Sequence, residues 1–281
     1  MSETSGDVGI VIRARNEAEM IGETLSMIDR QRHPPAEVVV VDCHSTDGTR
    51  DIAAEYGATV VDMHPDEFTY GYGINVGIEH TESDLCCILS AHAVPTTTAW
   101  LENLVAALDD PETAAAYGRQ VVSEQGDPLE RRSLEAVFGT DERLQRRDPF
   151  FSNANSLVRR ECWERVPFDE EVSYSEDRLW AREMQQRGYA IRYVPTAPVF
   201  HEHRESLRDA YRRNVNQGRA ERDIDGTRPS PLAIPRNVVR EVGLDYLHFG
   251  RNPREWSIVD LVRAPFVRTA EQVGFYDGTR R

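Results

Sequence analysis

Residues 8–63 read VGIVIRARNEAEMIGETLSMIDRQRHPPAEVVVVDCHSTDGTRDIAAEYGATVVDM. The apolar runs VGIVIR (8–13) and EVVVVD (37–42) are rich in β-branched residues and too short for helices, so they predict buried strands. Between them Met20, Ile21, Leu25 and Ile28 recur at helical spacing until Pro34-Pro35 stops the helix. After the turn-rich CHSTDGT, a second helix over 49–56 ends at Gly57, and ATVVDM (58–63) supplies a third strand. Two strand–helix–strand units in succession predict a parallel α/β sheet with helices on its faces.

The rhythm continues with a helical stretch over 75–80, the strand LCCILS (85–90) and a helix over 97–108. Beyond residue 115 it loosens. AAYGRQVV reads as a strand, 128–148 as one charged amphipathic helix, and FFSNANSLVRR as a loop running into a strand. A helix over 176–187 closes at Gly188, and AIRYVP is a further strand. From 204 the chain is helical and Arg-rich, with a Pro/Ser/Gly break at 226–231. The expected organisation is a catalytic α/β domain over 1–203 and a C-terminal helical extension over 204–281. In the extension WSIVDLV, PFV and VGFY stand among arginines. Such a pattern suits packing on the domain or on a second copy in a homodimer, or peripheral contact with a membrane surface.

The 281 residues carry 33 cations and 48 carboxylates, a net charge of −15, and every cation is Arg because the chain contains no lysine. That balance excludes a basic nucleic-acid footprint for the chain as a whole. No run of about 18 apolar residues occurs, and MSETSGDVGIV lacks the charged and apolar regions of a signal peptide, so a cytoplasmic location is expected. Carboxylate excess without lysine resembles the proteomes of halophilic archaea, where salt screens the repulsion between carboxylates. A GC-rich genome that favours Arg codons is the plainer alternative. Cys43, Cys86, Cys87 and Cys162 show no CxxC spacing and are expected as buried free thiols.

In open parallel sheets ligands bind beyond the carboxyl ends of the strands. Polar clusters stand at three strand ends, Arg13-Ala14-Arg15-Asn16-Glu17, the run from Asp42 to Gly48 and Ser90-Ala91-His92; Ser175-Glu176-Asp177 opens the helix after 176, and His201-Glu202-His203 follows the strand ending near Val194. Clusters converging on one edge favour an enzyme over a binding module. No GxGxxG follows the first strand and no GxxxxGK[ST] occurs, which weakens dinucleotide and P-loop readings. ARNEAE is not the Gly-rich basic loop of a nucleotidyltransferase either.

VIRARNEAEMIGETLSMI and EVVVVDCHSTDGT resemble the opening of the family 2 glycosyltransferases, which have the GT-A fold. FTYGYGINVG, LSAHAVP, AAYGRQVV, FFSNANSLVRRECWERVPFDEEV, YSEDRLWAREMQQRGY and VFHEHRESLRDAYRR are similar to successive blocks of its rhamnosyltransferase-like branch. Together these blocks span most of 8–220. The resemblance implies a central, mostly parallel sheet and transfer of a sugar from a nucleotide-diphosphate donor to a hydroxyl with inversion. It implies a saccharide or lipid-linked glycan as acceptor, in making a surface polysaccharide or a protein glycan at the cytoplasmic membrane face. Asp177 falls at the family's general base, with Glu176 as its neighbour, although an acidic pair also suits a helix start capped by Ser175.

Ala14, Arg15, Glu17 and Asp42 fall in the nucleotide pocket, with Cys43 replacing the second acidic residue of the family pair. Asn75 matches a pocket-facing position, and Asn153 and Asn155 match the sugar or acceptor side. Ser90-Ala91-His92 stands where the family carries Asp-x-Asp. A divalent ion, Mn2+ or Mg2+, would then rest on His92, His201 and His203, and imidazole suits Mn2+ better than Mg2+. Arg119 is the alternative partner for the diphosphate, in a transferase that works without metal. A catalytically silent sugar-nucleotide-binding subunit is the competing reading, and the retained Glu176-Asp177 argues against it.

Overall fold

The computed structural model describes residues 6–172, 174–202 and 206–281. The chain divides into two compact units: Met1–Val121 with Phe138–Val172 and Glu176–His201, and Val122–Val137 with Ser173–Ser175 and Glu202–Arg281.

The first unit opens with β1 (Val8–Ala14), α1 (Ile21–Asp29), β2 (Glu37–Asp42), α2 (Thr49–Glu55) and β3 (Thr59–Asp62). There follow α3 (Tyr70–Glu79), β4 (Leu85–Ser90), the two-residue β5 (Val94–Pro95), α4 (Trp100–Ala106) and β6 (Thr113–Val121). The helix α5 (Pro128–Val137) belongs to the second unit, and the first resumes with β7 (Arg143–Gln145), β8 (Asn155–Arg159), α6 (Arg160–Arg165), α7 (Glu176–Gln186) and β9 (Ala190–Phe200). Strand order among the described residues is β3-β2-β1-β4-β8-β6-β9-β5, with β7 also on β9.

The strands β3, β2, β1 and β4 are mutually parallel, as the opening rhythm predicts. β8 then enters antiparallel to β4 and β6, while β9 runs parallel to β6. The core follows the apolar runs: Ile10, Ile12, Val40, Cys87 and Leu89 are fully buried between α1 and α4 on one face. On the other face α3 lies so close to the sheet that a Cβ on Gly77 would collide with the Val11 side chain. All four cysteines are buried free thiols.

Three boundaries differ from expectation. α3 begins at Tyr70 rather than 75, because Thr69 caps it by accepting from the Tyr72 N–H at 3.1 Å. β9 runs on past Val194 to Phe200, which puts His201 directly at its end. The single helix expected over 128–148 is α5 followed by the separate strand β7. Gly139 interrupts the helix, and Gln145 locks the strand by accepting from the Tyr117 hydroxyl at 2.8 Å and donating to the Phe150 carbonyl at 3.0 Å.

The second unit packs α5 with α8 (Leu207–Asp225), α9 (Ala233–Arg251) and α10 (Ile258–Gly278). α8 and α10 are in near-backbone contact, since a Cβ on Gly218 would strike the Phe275 carbonyl. Leu129, Trp256, Ala264 and Val267 form a small core. Beside it the buried Asp245 carboxylate accepts from Arg268 at 2.9 and 2.8 Å and from Arg132 at 2.6 Å. Among the described residues no helix is long and apolar enough to cross a membrane.

Candidate active site

The carboxyl ends of β1, β2 and β4 open onto a cavity of about 240 Å3. Its wall comprises Arg13, Ala14, Arg15 and Glu17 at the β1 end, Cys43 after β2, Ser90 and His92 at the β4 end, and Phe68 and Tyr70 where α3 starts. Ala14, Arg15, Glu17, Ser90 and His92 are thus brought together as the sequence predicts. Two non-glycine residues with left-handed backbone flank the cavity, Asn16 (φ 56°) and His44 (φ 53°). The β2–α2 turn holds the β1 loop in this form. Ser45 Oγ accepts the Asn16 N–H, Thr49 Oγ1 the Glu17 N–H and Asp47 the Ala18 N–H, at 2.8, 2.8 and 3.0 Å. The turn's polar groups are therefore spent on the protein. Burial pushes the Cys43 thiol up, with Arg15 opposing it.

A ladder of hydrogen bonds crosses the sheet. His92 Nδ1 lies 3.0 Å from Glu17 Oε1, and His201 Nδ1 lies 2.8 Å from Gln120 Oε1, whose amide donates to Ser152 Oγ at 2.8 Å. Both acceptors are oxygens, so each Nδ1 carries a proton. The two Nε2 atoms then meet at 3.1 Å with the rings stacked 7° from parallel.

The acidic pair opens α7. Glu176 is buried and accepts from Asn153 Nδ2 at 3.4 Å. The half-buried Asp177 accepts from the Arg178 and Asn153 backbone N–H groups at 2.7 and 3.4 Å. Burial, and then the Glu176 charge, push the Asp177 carboxyl up to about 7, while those two N–H groups and Arg13 pull it down. Ser175 has left-handed backbone (φ 64°) instead of the extended backbone of a usual cap.

Four sequence candidates are placed differently. Asn75 is buried with its amide fully engaged: it donates to the Phe168 carbonyl and Glu170, and accepts from Trp163 Nε1 and the Phe168 N–H. Asn155 likewise accepts from Trp100 Nε1 and donates to the Ala197 carbonyl, each at 2.9 Å. Both join segments of the fold and are not on the cavity wall. Asp42 is buried behind Cys43, accepting from the Ser45 N–H and from Arg50. Arg119 is not on the cavity wall; its charge opposes the effect of burial on the Tyr193 hydroxyl, and its Nε is buried without a partner. His203 lies outside the described residues.

Arg13, which the sequence places in a strand-end polar cluster without giving it a role, stands on the wall beside Arg15. Its guanidinium stands 4.9 Å over the Tyr70 ring, makes one long bond of 3.4 Å to the Tyr70 carbonyl, and keeps Nε buried without a partner. Its only textual signal is a charge ending an otherwise apolar strand.

The sequence profile of glycosyl transferase family 2 matches residues 9–166. The chain belongs to that family. An O-antigen chain rhamnosyltransferase of Salmonella anatum is 28% identical over 207 residues, 70% of this chain and 66% of that protein. The glycosyltransferase AglE of Haloferax volcanii is 26% identical over 203 residues, 69% of this chain and 66% of that protein. The chain therefore spans about two thirds of the length of these relatives. A mannosyltransferase from Pyrobaculum calidifontis, solved with GDP-mannose and Mn2+, superposes with a TM-score of 0.66 at 18% identity, covering 98% of this chain and 86% of that one. That likeness is one of fold, and the fold is GT-A.

Whether this family 2 glycosyl transferase has ligands for such an ion can be tested on its side chains. Among the described residues no three His, Cys, Asp or Glu side chains gather as a metal site. The two imidazoles do gather, and adjacent ligands at 2.0–2.1 Å from one ion are spaced about 3 Å apart, which is the Nε2–Nε2 separation found. Each ring also has its Nδ1 oriented by an oxygen, as metal-bound histidines require. The pair fits a cation whose remaining ligands come from phosphate oxygens and water.

Proposed function

We propose that this glycosyltransferase moves a hexosyl or deoxyhexosyl unit from a nucleotide-diphosphate donor to a hydroxyl of a saccharide or lipid-linked glycan, inverting the anomeric carbon. Asp177 takes the proton of the attacking hydroxyl as its oxygen bonds the anomeric carbon and the bond to the diphosphate breaks. Asn153 holds the acidic pair in place through its backbone and side-chain N–H groups. Arg13, rather than Arg119, meets the charge that develops on the leaving diphosphate, and Ala14, Arg15, Glu17 and Ser90 line the nucleotide. His92 and His201 hold a divalent ion, Mn2+ in preference to Mg2+, which when bound neutralises part of the diphosphate charge.

The observation that carries this reading is one unit combining a cavity lined by Arg13, Arg15 and His92, whose ring pairs with His201, with a carboxylate poised near neutrality. The O-antigen relative supports synthesis of a surface polysaccharide and the Haloferax relative a halophilic source; a protein glycan as product and the cytoplasmic membrane face as location belong to the same proposal. The helices of 202–281, together with α5, are proposed as an extension to the catalytic unit. The test is thermal unfolding in molar KCl against a panel of nucleotide sugars, with Mn2+ or with EDTA. A true donor at a hundredfold excess over its dissociation constant should stabilise by about 2.7 kcal/mol. His92→Ala and His201→Ala should weaken that stabilisation far more in Mn2+ than in EDTA. No response to any nucleotide sugar or nucleoside diphosphate would reject the reading.

A further inference from the structure

The second unit exposes an apolar face that its own core does not use. Val239 and Leu247 on α9, and Ile258, Val259, Val262 and Phe266 on α10, each keep 60–80% of their surface exposed. On α10 these residues recur at spacings of three and four and form one stripe. The Tyr246 hydroxyl donates to the Leu261 carbonyl at 3.2 Å, which holds the end of α9 around Leu247 beside the start of α10.

Charge around the face has the opposite sign to the chain. Arg236, Arg240, Arg251 and Arg254 are exposed on α9 and the following loop. Of these, only Arg240 has a carboxylate within ion-pair distance among the described residues. Most carboxylates of the same segment are taken up by the protein, and Glu255 is the exposed one. Asp245 and Glu241 bind Arg132, Asp260 caps α10 through Ser257, and Glu255 lies 3.7 Å from Arg131. A chain of net charge −15 thus sets a group of outward arginines beside its exposed aliphatic and aromatic side chains.

We propose that this α9–α10 face docks on an anionic lipid bilayer, with the apolar stripe entering the headgroup region and the arginines meeting lipid phosphates. A second copy of the chain fits less well, because a two-fold contact through this face would bring two faces rich in exposed arginine together. The purpose of docking, bringing a lipid-linked acceptor to the enzyme, rests on the transferase reading; the physics of docking does not.

The test is co-sedimentation of the full chain with phosphatidylglycerol or phosphatidylcholine vesicles, at low and at molar KCl. Binding to the anionic vesicles is expected, with the anionic preference shrinking in molar salt as the Debye length falls to about 3 Å. Val262→Ser with Phe266→Ser should lower partitioning by roughly tenfold or more without changing the melting temperature. Arg251→Gln with Arg254→Gln should remove the anionic preference and leave the apolar contribution. Should the serine pair disturb folding, Phe266→Trp serves instead, with a blue-shifted emission expected on anionic vesicles. Absence of vesicle binding, binding undiminished in both variants, an emission that stays unshifted in Phe266→Trp, or a dimer in light scattering that the same substitutions dissolve would each overturn the proposal. Nucleotide-diphosphate binding on the same samples reports separately on the transferase reading.

Discussion

Asp177 serves the proposed reaction at the expense of stability. Folding holds its proton to about pH 7, whereas the ordinary carboxyl loses it near 3.8. The folded chain therefore binds an extra proton between those values, and stability falls as pH rises from about 4 to about 7. Asp177→Asn cannot ionise. It should melt higher than the unaltered chain at about pH 8 and close to it at about pH 4, while losing roughly 10²–10⁴-fold in turnover. Near-normal turnover would remove the base assignment, and equal melting at both pH values would remove the electrostatic account. Arg13 makes a complementary case. Its cation pulls the Asp177 carboxyl down, so Arg13→Gln should move the acidic limb of the rate profile to higher pH. The same substitution should weaken nucleoside-diphosphate binding by about 10–100-fold and leave nucleoside binding unchanged. The pair Glu176-Asp177 could be read from sequence only through family resemblance, because acidic residues at a helix start are common on electrostatic grounds alone. Asn75 and Asn155 show the converse. A polar residue inside an apolar segment looks like a ligand contact, but both are consumed by indole, backbone and carboxylate groups supplied from 42 to 95 positions away.

At the level of elements, the strands and helices up to β4 follow from local periodicity, most firmly where β1, α1, β2 and β4 each bury an apolar run. The segment 128–148 did not yield to the same reasoning. α5 and β7 are both charged and amphipathic, and what separates them is non-local: β7 pairs with β9 some fifty residues on, and α5 packs against α9 and α10. The α5 partners also define an electrostatic knot. Asp245 sits fully buried between Arg268 and Arg132. Asp245→Ala would strand two cations, Arg268 with only Glu271 and Arg132 with only Glu241 as carboxylate partners among the described residues. The expected loss is about 3–5 kcal/mol of unfolding free energy. Chemical denaturation measures it, and a loss below about 1 kcal/mol would mean that water reaches the site.

For the whole molecule the dominant quantity is the net charge of −15. At 0.01 M salt the Debye length is about 30 Å and self-repulsion reaches across the protein; at 1 M it is about 3 Å and only contact pairs remain. Melting temperature and activity should therefore climb from 0.1 M towards molar KCl. A curve flat from about 0.1 to 2 M would sink the halophile reading. Composition made this legible without a structure. It could not disclose that the arginines of the α9 region lie outward while Asp245 is buried and Glu241 is held by Arg132, because burial depends on partners distant in sequence.

The hydrogen-bond ladder from Glu17 through His92, His201 and Gln120 to Ser152 ends one residue short of Asn153, which holds Glu176 and Asp177. On the proposed function, a donor settled at the imidazole pair is expected to bear on the footing of Asp177 through this ladder. In kinetic terms this is a rule of sequence, donor before acceptor. Steady-state rates should show ordered addition, with the nucleoside-diphosphate product competitive against donor alone, and Gln120→Ala should relax that order towards random.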